Sequence, residues 1–200
     1  MKKQLEPGTR FVTITFVARP NNRKVDDIDE ATVKGLLVLG EALNRKSPVD
    51  LIIAAPGLTE IASYMRPSGY GAPAVIQALT PCTREHRQLL LHNLGERKFS
   101  GTMDVKYNPA HRVMAMAEFT KHGWDCLSSF IIERGGTNVV VAGLSSFLTG
   151  IVWYGLNWLS DGTSGKMLDE TWVHNNQLHS VTICYRLSSD GRLEYYSKEE

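Results

Sequence analysis

The chain has 200 residues, 42% of them hydrophobic and 22% charged, which suits one soluble domain, spanning residues 1–200, with enough apolar side chains for a full core. Lys and Arg number 22 against 21 Asp and Glu, with the two signs interspersed, so composition offers no basic footprint for nucleic acid and no acidic solvating tail. The opening MKKQLEPGTRF lacks the apolar centre of a signal peptide and no later run reaches membrane-spanning length, which predicts a cytoplasmic protein with neither nucleic acid nor membrane as partner.

In chain order, Phe11, Val12, Ile14, Phe16 and Val17 form a nearly continuous β-branched and aromatic run, the pattern of a strand covered on both faces. It exits into Arg19, Pro20, Asn21, Asn22 and Arg23. Ligands of open α/β sheets bind beyond the carboxyl ends of the strands, and an arginine there offers a forked, charge-assisted grip on phosphate or carboxylate. Asp29 is placed to cap a helix over Glu30 to Asn44, with Val33, Leu36, Leu37 and Leu43 as its apolar stripe. Asp50 to Ala55 reads as a buried strand, turned by Pro56-Gly57 into a short helix through Ile61, Ala62 and Met65. Arg66 to Ala72 reads as loop and Pro73 to Leu79 as a short strand.

Thr83 to Glu96 reads as helix and Lys98 to Asn108 as a polar excursion. A long helix over Ala110 to Glu133 can turn Val113, Met116, Phe119, Trp124, Leu127 and Ile131 inward, and Gly135-Gly136 ends it. Asn138 to Ala142 is the clearest internal strand, switching at Gly143 into a helix over Ser146 to Leu159 that is apolar almost all round. His179 to Leu187 and Arg192 to Tyr196 flank Asp190-Gly191 as a hairpin. Alternating strands and helices predict an α/β three-layer sandwich: a mostly parallel central sheet, helices on both faces, and an antiparallel edge strand.

Four local signals bear on chemistry. Ser160 to Lys166 has the outline of a phosphate-binding loop, but Ser160 replaces the first glycine, Met167 replaces the metal-binding hydroxyl, and a helix precedes it, so a plain loop is the better reading. Gly143-Leu144-Ser145 passes from strand to helix as a nucleophile elbow does, yet Phe147 stands where the second glycine belongs, which favours Ser145 or Ser146 as a helix cap. The histidines show no metal-ligand spacing, Cys82, Cys126 and Cys184 form no CxxC, and no cofactor motif stands out, so neither metal nor cofactor is expected. Trp153, Tyr154 and Trp158 on one apolar helix are explained first by core packing and second by a subunit contact, which makes a homo-oligomer an expectation.

The order of these features resembles the histidine phosphatase superfamily, the phosphoglycerate-mutase-like fold. In that family the first strand ends in Arg-His-Gly, which falls here on Arg19-Pro20-Asn21. The helix-opening Leu-Thr-x-x-Gly falls on Thr32 to Gly35, and the motif after the second strand falls on Ala55-Pro56-Gly57-Leu58-Thr59, with Ser63 at the threonine. The later Val-x-Val-x-His-Gly falls on Val139 to Leu144, and the Asn-rich start of the final strand on Asn175-Asn176. The resemblance implies the fold and a cleft at the sheet's carboxyl edge where Arg19, Thr59 and Gly143 converge.

It does not carry over the chemistry. Pro20 stands at the nucleophilic histidine, Thr59 at the second arginine and Gly143, or Leu144 one residue on, at the second histidine, and the acid's motif near Leu79-Thr80-Pro81 is unrecognisable. Proline has no nucleophilic atom, and the loss of an arginine and a histidine removes charge that would stabilise a transferring phosphoryl group. The expectation is a pseudo-enzyme whose pocket, formed by Arg19, Asn21, Asn22, Thr59 and Ser145, binds phosphate or another small anion, or which acts as a protein-interaction domain. The alternatives are a phosphomonoesterase with a displaced histidine, His111, His174 or His179, and a serine hydrolase built on Ser145 with His174 or His179 and Asp161 or Asp169.

Overall fold

The structure is a computed structural model, and it describes residues 9–20, 28–67, 70–80, 117–156, 171–174 and 180–196. The expected helix over 83–96, the excursion at 98–108 and the loop at 160–166 lie outside these residues.

The apolar run at the start forms β1 (Phe11–Ala18), in which Val12 and every residue from Ile14 to Ala18 is buried. Helix α1 (Glu30–Lys46) begins where expected: the Asp29 carboxylate accepts the Thr32 N–H at 2.7 Å, a bond that holds this carboxyl below its ordinary pKa. Of its predicted stripe, Leu36 is buried and Val33 and Leu43 are half-buried, whereas Leu37 is 46% exposed. The stripe turns instead through Gly40, which is buried. Strand β2 (Leu51–Ala54) passes through Gly57, at φ +77°, into α2 (Thr59–Tyr64). Gly40 is where α1 meets the end of α2, because a Cβ there would lie 2.4 Å from the Met65 carbonyl oxygen.

The segment expected as a strand over 73–79 divides into β3 (Ala74–Val75) and one 3₁₀ turn at Gln77–Leu79. Helix α3 (Ala117–Arg134) buries Trp124, Leu127 and Ile131, the predicted spacing, and closes with the Gly136 N–H on the Ile131 carbonyl and Gly135 at φ +73°. Strand β4 (Asn138–Gly143) is buried throughout, and α4 (Ser145–Gly155) follows it. Strands β5 (Ser180–Leu187) and β6 (Leu193–Tyr195) form the hairpin. Its turn runs from Ser188 to Arg192, whose backbone groups pair at 2.8 Å, with Gly191 supplying the φ of +77° that this turn requires.

The strands order as β3-β2-β4-β1-β5-β6. The first four are parallel and β5 runs antiparallel to β1, so the sheet is mixed and mostly parallel as expected, with β5 inside it and β6 at the edge. The chain steps from β1 to β2 to β3 in one direction and then returns to β4. Right-handed crossovers place α1 and α2 on one face and α3 on the other. The α3 face is fixed by Tyr185 of β5, whose ring lies 5.0 Å from that of Trp124, with Val12, Ile14 and Phe16 in register beside Tyr185, Ile183 and Val181. Among the described residues no helix is long and apolar enough to cross a membrane.

The amino edge of the sheet is fastened by polar groups. The Asp50 carboxylate accepts the Thr137 N–H at 2.8 Å, the Thr137 hydroxyl at 2.5 Å and the Asn138 N–H at 3.1 Å. The Asn138 side chain in turn donates to the Ser47 and Pro48 carbonyls. Asp50→Ala is therefore expected to lower unfolding stability by about 2 kcal/mol, measured by urea denaturation, because it removes a charged acceptor shared by three donors.

Candidate functional site at the carboxyl edge of the sheet

Three strand exits meet at the carboxyl edge. Ala18 pairs with Gly143, and one residue further the Arg19 N–H donates to the Gly143 carbonyl at 2.8 Å. On the other side of β4, Ala54 pairs with Ala142 and the Ala55 N–H donates to the Ala142 carbonyl at 2.8 Å. The exits of β1, β4 and β2 are thereby locked side by side. Arg19 and Pro20, both half-buried, leave the first, Gly143 the second and Ala55 to Thr59 the third.

The expected site residues meet different fates. Arg19 stands at the centre of this edge. Thr59 is the half-buried first residue of α2, and its carbonyl accepts the Ser63 hydroxyl at 2.8 Å, which commits Ser63 to the helix. Asn21 and Asn22 lie outside the described residues, as do His111, His179, Asp161 and Asp169. Ser145 is not a helix cap: the cap position of α4 is Leu144, with no side-chain hydrogen bond, and Ser145 is the first helical residue. Its hydroxyl donates to the Val173 carbonyl at 2.6 Å, so its proton is directed at a backbone oxygen and not at an imidazole. That geometry is contrary to the serine-hydrolase alternative, in which the hydroxyl must hand its proton to a base.

Helix α4 opens directly after Gly143; its first N–H groups have no intrahelical partner, as in any α-helix, and the cap residue Leu144 supplies no side-chain hydrogen bond, while the first turn closes with the Leu148 N–H on the Leu144 carbonyl at 2.8 Å. A cationic side chain and a helix amino terminus at one strand edge suit an anion. Gly143 leaves no room for more. A Cβ at this position would lie 2.7 Å from Leu148 Cδ2 and 2.8 Å from its Cγ, and Leu148 is fully buried.

A feature not anticipated from the sequence borders the site. Residues 171–174 lie along α4 as a strap. The Trp153 indole donates to the Thr171 hydroxyl at 3.1 Å, the Val173 N–H donates to the Thr149 hydroxyl at 3.1 Å, and Ser145 completes the series. The signal was present as Ser145, Thr149 and Trp153, three hydrogen-bonding side chains four residues apart on a mostly apolar helix. Trp153 is only 2% exposed and packs edge-to-face on Trp172 at 5.6 Å, so core packing accounts for it and it presents no surface to another subunit. Tyr154 is half-buried, and Trp158 lies outside the described residues. No group of three His, Cys, Asp or Glu side chains placed to hold a metal occurs among the described residues.

With its parallel core and antiparallel β5, the chain has the phosphoglycerate-mutase-like fold. Solved structures bear this out along nearly the whole length. It is similar to phosphoglycerate mutase from Bacillus anthracis, at 15% identity over 94% of this chain and 93% of that one, with a TM-score of 0.55. Phosphoserine phosphatase from Entamoeba histolytica, solved in complex with 3-phosphoglyceric acid, matches at 10% identity over 93% and 95% of the two chains, also with a TM-score of 0.55. A putative alpha-ribazole-5'-P phosphatase from Escherichia coli gives 11% identity over 94% and 96%, with a TM-score of 0.52. No protein-family profile and no curated protein sequence matches the chain.

Proposed function

We propose that this protein is a histidine-phosphatase-fold pseudo-enzyme that binds phosphate or a phosphate-bearing small molecule at the carboxyl edge of its sheet and does not form a phosphoenzyme. The observation that carries this reading is the hydrogen bond from the Arg19 N–H to the Gly143 carbonyl at 2.8 Å. It sets Arg19 beside the α4 amino terminus and makes Pro20 and Gly143 the residues that leave the two adjoining strands. Neither has an ionisable side chain, so these two exits offer no nucleophile, while Arg19 brings a cationic side chain to the same edge. The relatives of this fold act on or bind phosphorylated metabolites by their descriptions, which supports phosphate as the ligand class. Cys126 and Cys184 form no disulfide, which supports a reducing, cytoplasmic setting. Self-association through Tyr154 and Trp158 belongs to the same proposal, with Trp153 withdrawn from it.

The test is hydrolysis of a generic phosphomonoester between pH 5 and 9, beside Arg19→Ala and a heat-inactivated control, together with calorimetric titration of inorganic phosphate. The expected result is no turnover above the control and phosphate binding that Arg19→Ala weakens at least about tenfold. Turnover that Arg19→Ala abolishes would replace this reading with that of a phosphomonoesterase using a displaced histidine.

A further inference from the structure

We propose that a groove at the amino edge of the sheet, at the opposite end of the strands from Arg19 and Gly143, binds a small monocarboxylate with an apolar body. Strand β3 begins at Ala74, opposite Ile53, so Leu51 and Ile52 pair with β4 on one side and have no β3 partner on the other. The space beside them is walled by Tyr70 to Ala72, in the connection that leads into β3, and by Phe130 and Arg134 at the end of α3. Its volume is about 310 Å³. That lies at the small end of the ~300–1,000 Å³ of ligand sites and suits a molecule of one ring and one charged group.

The lining combines apolar walls with a cation. Leu51, Ala74 and Phe130 are half-buried, and Tyr70 adds a second ring. Phe130 and Arg134 stand four residues apart on α3 and so share a face of the helix, with the guanidinium 5.2 Å from the centroid of the Phe130 ring. Among the described residues Arg134 enters no ion pair, which leaves its forked N–H donors for another partner. Asp50 is the other charged residue of the lining, and its carboxylate is already committed to donors of Thr137 and Asn138. Arg134 and Asp50 together carry no net charge, so the groove is poorly suited to a dianion. A single planar carboxylate fits better, gripped by the Arg134 fork while its apolar body lies against Phe130, Leu51 and Tyr70.

Phenylacetate is the probe, and benzyl alcohol is its uncharged counterpart. Each is titrated into wild type, Arg134→Gln, Arg134→Lys, Tyr70→Ala and Arg19→Ala, read by ligand-detected NMR and calorimetry, with thermal melting to confirm that each variant is folded. Wild type should bind phenylacetate at least about tenfold more tightly than benzyl alcohol. Arg134→Gln should remove that preference. Arg134→Lys keeps the charge at the helix end but loses the fork, so it should recover only part of the preference. Tyr70→Ala should weaken both ligands by about threefold or more, because it removes one wall. Arg19→Ala should bind phenylacetate as wild type does, which separates this groove from the anion reading of the carboxyl edge. The proposal is overturned if wild type does not bind phenylacetate, if Arg134→Gln binds it as wild type does, or if Arg19→Ala abolishes the binding. Equal affinity for benzyl alcohol would overturn it as well, since the carboxylate would then have no contact in the groove.

Discussion

Gly40→Val should leave little or no folded protein at 37 °C, with stability reduced by about 3 kcal/mol or more as measured by chemical denaturation of whatever fraction remains soluble. The reason is a backbone contact. A Cβ on Gly40 would lie 2.4 Å from the Met65 carbonyl oxygen, 2.7 Å from its Cα and 2.8 Å from its carbonyl carbon. A clash with the tip of a side chain can be relieved by a rotamer change, but here the obstacle is main chain at the end of α2. Relief requires α1 and α2 to separate, and α1 is held to its neighbours by the buried Leu36 one turn away. Val38→Ala is the control, since Val38 is 62% exposed and its truncation should move stability by less than about 0.5 kcal/mol.

The second large effect tests the proposed pseudo-enzyme reading by putting an imidazole at a strand exit. Gly143→His puts an imidazole where the superfamily motif has one, yet it is expected to yield no phosphomonoesterase activity and to destabilise the protein by about 2 kcal/mol. The new Cβ would meet Leu148 Cδ2 at 2.7 Å, and Leu148 is fully buried, so it has no vacant space to swing into. Combining Gly143→His with Leu148→Ala should recover part of the lost stability, because the second change removes the atoms in the way. Activity should stay absent even then, since on the proposed reading Pro20, which has no nucleophilic atom, stands where the resemblance aligns the nucleophile. The measurement pairs melting curves with hydrolysis of a generic phosphomonoester. Activity in Gly143→His alone would mean that the cleft tolerates an imidazole and that the pseudo-enzyme reading is mistaken.

The strands that organise the sheet were legible because their residues leave little choice. Phe11 to Ala18 and Asn138 to Ala142 are β-branched or apolar runs of strand length, and Asp190-Gly191 supplies the conformation its hairpin needs. The convergence of Arg19 with Gly143 was legible from the order of the elements, because parallel neighbours bring their carboxyl ends together whatever side chains they carry. Side-chain roles were less accessible. Leu37 fits a helical stripe by spacing, but the close approach at Gly40 rotates the contact face away from it. Ser145 after a strand suggests a cap or a nucleophile, and only a contact with Val173, 28 residues further on, shows it holding a strap. Trp153 stood out as an aromatic in excess of one core face; its partners, Thr171 and Trp172, come from a segment with no periodicity of its own. Local pattern specifies elements, while these roles depend on pairs distant in sequence.

The sheet is widest at its centre and tapers outward. Strands β1 and β5 each run for eight residues, whereas the outermost β3 has two and β6 three. A neighbouring copy that approached either margin would find few backbone groups with which to extend the hydrogen-bonded ladder, the arrangement by which soluble proteins resist edge-to-edge aggregation. Beside β6, the ion pair of Arg186 and Glu194 at 2.6 Å sets charge across the last two strands and further discourages such stacking. Crowding of this protein should accordingly favour association through helical faces over growth of the sheet from molecule to molecule.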